Sequence, residues 1–162
     1  MNSAEKIITR PEAARWVRGL QARGLKVVFT NGCFDLIHPG HVAYLEEARS
    51  LGDALLVAVN TDASVRRLGK GELRPVNPEA DRARVVAALA AVDRVVLFGE
   101  DTPLELITEL QPDILVKGGD YRLSEVAGRE VVLARGGQVL ILPFRSGYST
   151  SLLVDRIRTA PD

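Results

Sequence analysis

The chain has 162 residues, 46% of them hydrophobic and 5% aromatic, and its 21 basic and 21 acidic side chains cancel. That length fits one domain with a full core, and zero formal charge excludes broad nucleic-acid or membrane-surface binding while leaving room for a local cationic pocket. The single cysteine, Cys33, excludes an internal disulfide and fits a reducing, cytoplasmic setting, the first ten residues carry no apolar leader, and no apolar run is long enough to span a bilayer.

A single domain over residues 1–162 is expected, with residues 1–25 as an N-terminal helical extension. Thr9 and Glu12 have capping-box spacing with Pro11 in the first turn, so a helix runs to about Gln21, with Ala13, Val17 and Leu20 on its apolar stripe and Gly24 closing it. Strand one covers 26–30, followed by a glycine turn and a helix over 42–51. Strand two, 54–60, is an almost unbroken apolar run, the pattern of a strand covered on both faces. Residues 66–77 read as a basic loop, and Asn77 as the N-cap of a helix over 78–90. Strand three is 94–98; Thr102 and Glu105 suggest a second capping box for a helix ending near Leu110; strand four is 114–117. A short helix over 129–134, strand five over 139–142 and a last helix from a Ser149 cap to about Arg158 complete the chain. Strands alternating with helices predict an α/β fold, a parallel sheet with helices on both faces. All strand C-termini then lie on one edge, where ligands of such sheets sit.

Polar residues collect at that edge. Strand one is followed by Asn31, Gly32, Cys33, Phe34, Asp35, His38, Gly40 and His41, strand two by Asn60 and Asp62, strand four by Lys117, Gly118 and Asp120, and strand five by Ser149 and Thr150. The two histidines, three apart across a helix start, can present both rings to one side, where imidazole N–H groups and helix amides would hold phosphate oxygens. The competing reading makes one ring a cap and the other packing. Ser149 is a plain cap or a phosphate contact at a helix N-terminus. Arg66, Arg67, Lys70, Arg74, Arg82 and Arg84 form either a solvated face or an arm closing over phosphates. Arg82 fits a phosphate ligand or an ion pair with Glu79; Lys117 a substrate-facing or a snorkelling ammonium. Asp35 would orient a histidine, bind ribose or make an Asx turn. Cys33 and Trp16 read as packing, Trp16 alternatively as interface. No metal-ligand cluster is visible.

The segment Gly32-Cys33-Phe34-Asp35-Leu36-Ile37-His38-Pro39-Gly40-His41 resembles the G-x-F-D-x-x-H-x-G-H signature of the cytidylyltransferase-like nucleotidyltransferases, and Ser149-Thr150-Ser151 resembles their Ser-Thr-rich second signature. The segments Val59-Asn60-Thr61-Asp62, Arg74-Pro75-Val76-Asn77-Pro78 and Leu115-Val116-Lys117-Gly118-Gly119-Asp120-Tyr121 are most similar to the D-glycero-β-D-manno-heptose 1-phosphate adenylyltransferases, and Leu152 stands where several cytidylyltransferases carry lysine. The resemblance implies a Rossmann-like five-stranded sheet in 3-2-1-4-5 order, a homodimer, and transfer of AMP from ATP, with Mg²⁺, to a heptose 1-phosphate. Residues 89–96 would offer an apolar dimer contact. It implies catalytic roles for His38, His41, Lys70 and Arg82, and nucleotide or substrate contacts at Asn31, Gly32, Cys33, Phe34, Asp35, Gly40, Asn60, Asp62, Lys117, Gly118, Asp120, Ser149 and Thr150. Relatives often fuse this module to a sugar kinase, for which this chain has no room; a stand-alone form is expected. The alternatives are a cytidylyltransferase acting on glycerol 3-phosphate or a similar small phosphate, and a nucleotide-binding module without turnover.

Overall fold

A computed structural model of the chain describes residues 1–161. Five strands, β1 (Val27–Gly32), β2 (Ala54–Asn60), β3 (Arg94–Phe98), β4 (Ile114–Gly118) and β5 (Gln138–Leu142), form one sheet in the order β3-β2-β1-β4-β5, every neighbouring pair parallel. Seven helices connect or flank them: α1 (Arg10–Gln21), α2 (Pro39–Ser50), α3 (Asp62–Arg67), α4 (Glu79–Ala88), α5 (Leu104–Leu110), α6 (Arg129–Ala134) and α7 (Thr150–Thr159).

The period of two along each strand divides the interior into two layers. Val28, Leu55, Val57, Val95 and Val116 face α2 and α4, meeting Tyr44, Leu45, Ala83 and Val86. Their neighbours Val27, Phe29, Leu56, Ala58, Val96 and Leu115 face α1, α5 and α6, meeting Ala13, Val17, Leu106, Ile107 and Val132. All seven β2 residues are buried, as its unbroken apolar run requires. Each fully buried leucine of this kind contributes about 1.5–3 kcal/mol.

The helix-start chemistry is partly as expected. Thr9 and Glu12 form their capping box, and Ser149 Oγ accepts the Leu152 amide at 3.0 Å. Asn77 does not cap α4: its side-chain amide donates to the Asp35 carbonyl, and Pro78 occupies the cap position. Thr102 and Glu105 form no capping box, because Pro103 sits at the cap of α5. The basic loop begins later than expected, since α3 takes up Arg66 and Arg67 behind a Thr61 cap.

Residues 89–96 are largely taken up inside the protomer, with Leu89 and Ala91 half-buried and Ala90 exposed. Val92, Val95 and Val96 are buried within the protomer, and the edge of β3 is covered by the chain's own N-terminus. There Ile7 bridges to Val95, the Ile8 amide donates to the Val95 carbonyl at 2.9 Å, and Lys6 Nζ donates to the Val92 carbonyl at 2.7 Å. A covered edge presents no free ladder to another chain. Among the described residues no helix is long and apolar enough to cross a membrane.

Candidate active site

β1 lies between β2 and β4, so successive crossovers leave its C-terminal end in opposite directions. A cleft of about 490 Å³ opens there, lined by the β1–α2 turn, the end of β4, the 70–74 loop and the start of α7. Two glycines shape its floor. A Cβ on Gly32 would come within 2.9 Å of the Phe34 ring, and one on Gly40 would meet His38 Nδ1 at 2.9 Å and Tyr148 Cβ at 3.0 Å. Phe34 itself turns the chain in the left-handed region (φ 49°) and tilts its ring against His41 at 5.4 Å between centroids.

His38 and His41 cap α2 reciprocally. The His41 amide donates to His38 Nδ1 and the His38 amide to His41 Nδ1, both at 3.3 Å, and the rings stack at 3.8 Å. A Ser/Thr–Glu capping box is thus built here from two imidazoles. Each Nδ1 accepts, so each neutral ring carries its proton on Nε2. Both rings line the cleft, and Nε2–H is the group each has left for a ligand. Burial pushes the His41 pKa down to about 4, helped by its neighbours His38 and Lys70, and burial lowers His38 as well.

The cations of the cleft are Lys70, Arg74 and Lys117. Lys117 is half-buried, with Nζ 5.0 Å from the Tyr121 ring centroid; burial and then nearby Lys70 lower its pKa. Asp35, the one carboxylate lining the cleft, has its side chain fully buried. It accepts from Arg74 Nε at 2.6 Å and from the amides of Val76 and Asn77 at 2.9 Å. Burial raises the Asp35 carboxyl, but the Asn77 and Val76 amides and the Arg74 guanidinium outweigh it and hold the group below its ordinary value. Asp35 thus fastens the 74–77 segment beside the cleft, an anchoring role beyond the three readings its sequence position offers. Among the described residues no three His, Cys, Asp or Glu side chains converge as a metal site.

The expected site residues divide. Asn31, Gly32, Cys33, Phe34, Asp35, His38, His41, Lys70, Lys117, Gly118, Ser149 and Thr150 all line the cleft, and Gly40 packs beneath His38. Arg82 is not brought there. It is fully buried, donating to the carbonyls of Asn77 (2.9 Å) and Cys33 (2.6 Å) and to Asp62 Oδ1 (2.8 Å), so each of its three nitrogens is engaged inside the fold. Asp62 is drawn away with it, and Glu79 accepts the Asp62 amide rather than pairing with Arg82. Asn60 bonds Ser64 Oγ at 2.9 Å and borders a smaller adjoining cavity; Asp120 is exposed and lines neither. Of the other arginines, Arg67 is tied to Asp101 and the Gly99 carbonyl. Trp16 packs on the α1 layer under the Arg94 guanidinium.

Tyr44, Phe144 and Tyr148 belong to the cleft and were not singled out from sequence. The Tyr44 hydroxyl pairs with Thr30 Oγ1 at 2.6 Å, and burial pushes its pKa up to about 12. Gly118 is the signal that would have found Phe144: a Cβ there would lie 2.6 Å from that ring. With imidazole donors, two helix N-termini and uncommitted ammonium groups around aromatic walls, the cleft suits a polyphosphate joined to a flat ring.

The cytidylyltransferase-like family model matches residues 29–156. The bifunctional protein HldE of Alkalilimnicola ehrlichii is 56% identical over 160 residues, 99% of this chain and 33% of that protein. The bifunctional protein HldE of Pasteurella multocida is 52% identical over 161 residues, 99% of this chain and 34% of that protein. The chain thus spans about a third of the length of the curated relatives it matches. Among solved structures, the lipopolysaccharide core biosynthesis protein of Thermoplasma volcanium GSS1 superposes with a TM-score of 0.63 at 32% identity, covering 78% of this chain and all of that one. The pantoate-β-alanine ligase of Francisella tularensis shares the fold, with a TM-score of 0.62 at 14% identity over 90% of this chain and 68% of that one.

Proposed function

We propose that this chain, which belongs to the cytidylyltransferase-like family, transfers AMP from ATP to D-glycero-β-D-manno-heptose 1-phosphate, forming ADP-heptose and pyrophosphate. The observation that carries this reading is the reciprocal histidine cap, which leaves two Nε2–H donors side by side in a cationic, aromatic-walled cleft. Identity above 50% to bifunctional HldE proteins across nearly the whole chain supports the heptose assignment, as does the likeness to a lipopolysaccharide core biosynthesis protein.

In this reading the triphosphate lies over the first turn of α2. His38 and His41 donate to oxygens of the reacting phosphates, the α7 N-terminus with Ser149 and Thr150 takes the outer phosphates, and Lys70 and Lys117 offset their charge. The base lies toward Tyr121, Phe144 and Tyr148. A phosphate oxygen of the sugar 1-phosphate attacks the α-phosphorus in line; the bond from that phosphorus to the bridging oxygen breaks, and pyrophosphate leaves with the electron pair. No covalent enzyme intermediate forms. Catalysis comes from positioning and from preorganised charge stabilisation. Among the described residues no cluster of ligands would hold a divalent cation, and Asp35, the carboxylate of the cleft, is committed to Arg74; Mg²⁺ would therefore enter with ATP, where it would offset phosphate charge.

The test is a coupled pyrophosphate assay over a panel of nucleotides and acceptors. Release with ATP and the heptose 1-phosphate, and not with CTP and glycerol 3-phosphate, is expected; the reverse preference, or nucleotide binding without pyrophosphate, overturns the assignment. The homodimer implied by the family resemblance is checked by sedimentation equilibrium of the intact chain.

A further inference from the structure

A second cavity, of about 300 Å³, adjoins the cleft. The two share Asn31, Gly32, Cys33, Lys70, Lys117 and Tyr121, so a single wall separates them. Beyond that wall the lining changes. The aromatic rings of the first cleft give way to an apolar floor of Leu115, Pro103 and Val126, with Asp101, Thr102 and Glu125 at the rim.

We propose that this second cavity seats the sugar of the acceptor, and that Glu125 and Thr102 select it by hydrogen bonds to its hydroxyl groups. The inference rests on the adenylyl-transfer reading for the identity of the ligand. Three observations carry it. Reacting atoms must approach to about 3–3.5 Å, so the acceptor needs a compartment that meets the nucleotide's, and this cavity does so at the two ammonium groups. Lys70 and Lys117 there can hold two anionic phosphates against their mutual repulsion. The rim groups are also unoccupied: among the described residues Glu125 pairs with no other side chain, Asp101 uses Oδ1 for Arg67 and keeps Oδ2, and Thr102 Oγ1 meets only the Leu104 amide at 3.5 Å. Carboxylates are acceptors only, the complement of a ring that presents many O–H donors. Aromatic walls on one side and carboxylates on the other match a base in the larger space and a polyol in the smaller.

The experiment uses Glu125→Ala and Thr102→Val, both exposed positions. In initial-rate assays of the intact chain, the KM for the heptose 1-phosphate should rise about tenfold in each, while the KM for ATP stays within twofold and the unfolding midpoint is unchanged. An unaltered acceptor KM in both variants, or an equal rise in the two KM values, overturns the proposal. Calorimetric titration of heptose 1-phosphate into protein holding a non-hydrolysable ATP analogue supplies a readout without turnover. Binding by the unsubstituted chain that weakens about tenfold in Glu125→Ala supports the cavity assignment even where no pyrophosphate appears and the adenylyl-transfer reading has failed. Absence of binding by the unsubstituted chain overturns it.

Discussion

The α2–α7 flank of the β1 terminus and the α3–α4 flank opposite are both rich in polar and charged side chains, and they hold them in different states. On the first, His38 and His41 use only Nδ1 on the backbone, and Lys117 makes no ion pair with any described residue, so donors face the cleft. On the second, Arg82 is satisfied by two carbonyls and Asp62, and Arg67 by Asp101 and Gly99. A charge is available to a ligand only where the fold leaves its hydrogen-bonding capacity open. Residue type and proximity to a strand end do not decide this; the competing internal partners do.

That contrast can be broken by mutation. His41→Ala should lower turnover by about two to three orders of magnitude, the loss typical of one transition-state donor, with folding retained; near-normal kcat removes the role. Arg82→Ala should act the other way, lowering stability by about 3 kcal/mol, the low end for a buried pair, because the partly exposed Asp62 carboxylate and the carbonyls of Asn77 and Cys33 lose their partner. A folded Arg82→Ala protein of ordinary stability that has lost only ATP turnover would move Arg82 to the ligand side. Asp35→Asn should destabilise by about 1–3 kcal/mol by placing an amide donor among donors, and should hasten proteolysis within residues 68–73; a cleavage pattern equal to that of the unsubstituted chain would dissolve the anchoring role.

The His41 environment also predicts a pH effect on stability. Above about pH 6.5, the ordinary histidine value, the ring is neutral in folded and unfolded chains alike and contributes nothing. As pH falls from there towards about 4, the unfolded chain takes up a proton the folded one refuses, so stability drops. Denaturant unfolding of His41→Gln should show a shallower slope across that window, and an identical slope would remove burial as the cause. The smallest effect is expected at Ser149→Ala, about 1 kcal/mol from the lost α7 cap, read in thermal unfolding.

The sequence was most legible where one physical signal dominates. Strands β2 and β3 have the bounds expected, since buried parallel strands are apolar runs bracketed by turn residues. The strand order, implied by family resemblance, is the order observed. The histidine pair was legible because its backbone setting is local, three residues across a helix start. Contacts between distant residues were not legible. Asn77 fails as a cap because Asp35, 42 positions earlier, claims its side chain, and Arg82 turns inward to the Cys33 carbonyl 49 positions away. Six-residue α3 carries too few apolar positions to show a period, and the pairing of Ile7 with the β3 edge has no signal in residues 1–9.

Because each imidazole of the α2 cap is held by the amide of the other's residue, the two positions form one mutational unit. Replacing either ring withdraws the acceptor that fixes its neighbour's backbone, so the losses in a double-mutant cycle should fall well short of their sum. A new side chain at position 38 should therefore keep the α2 cap only when it is introduced together with a compatible one at position 41.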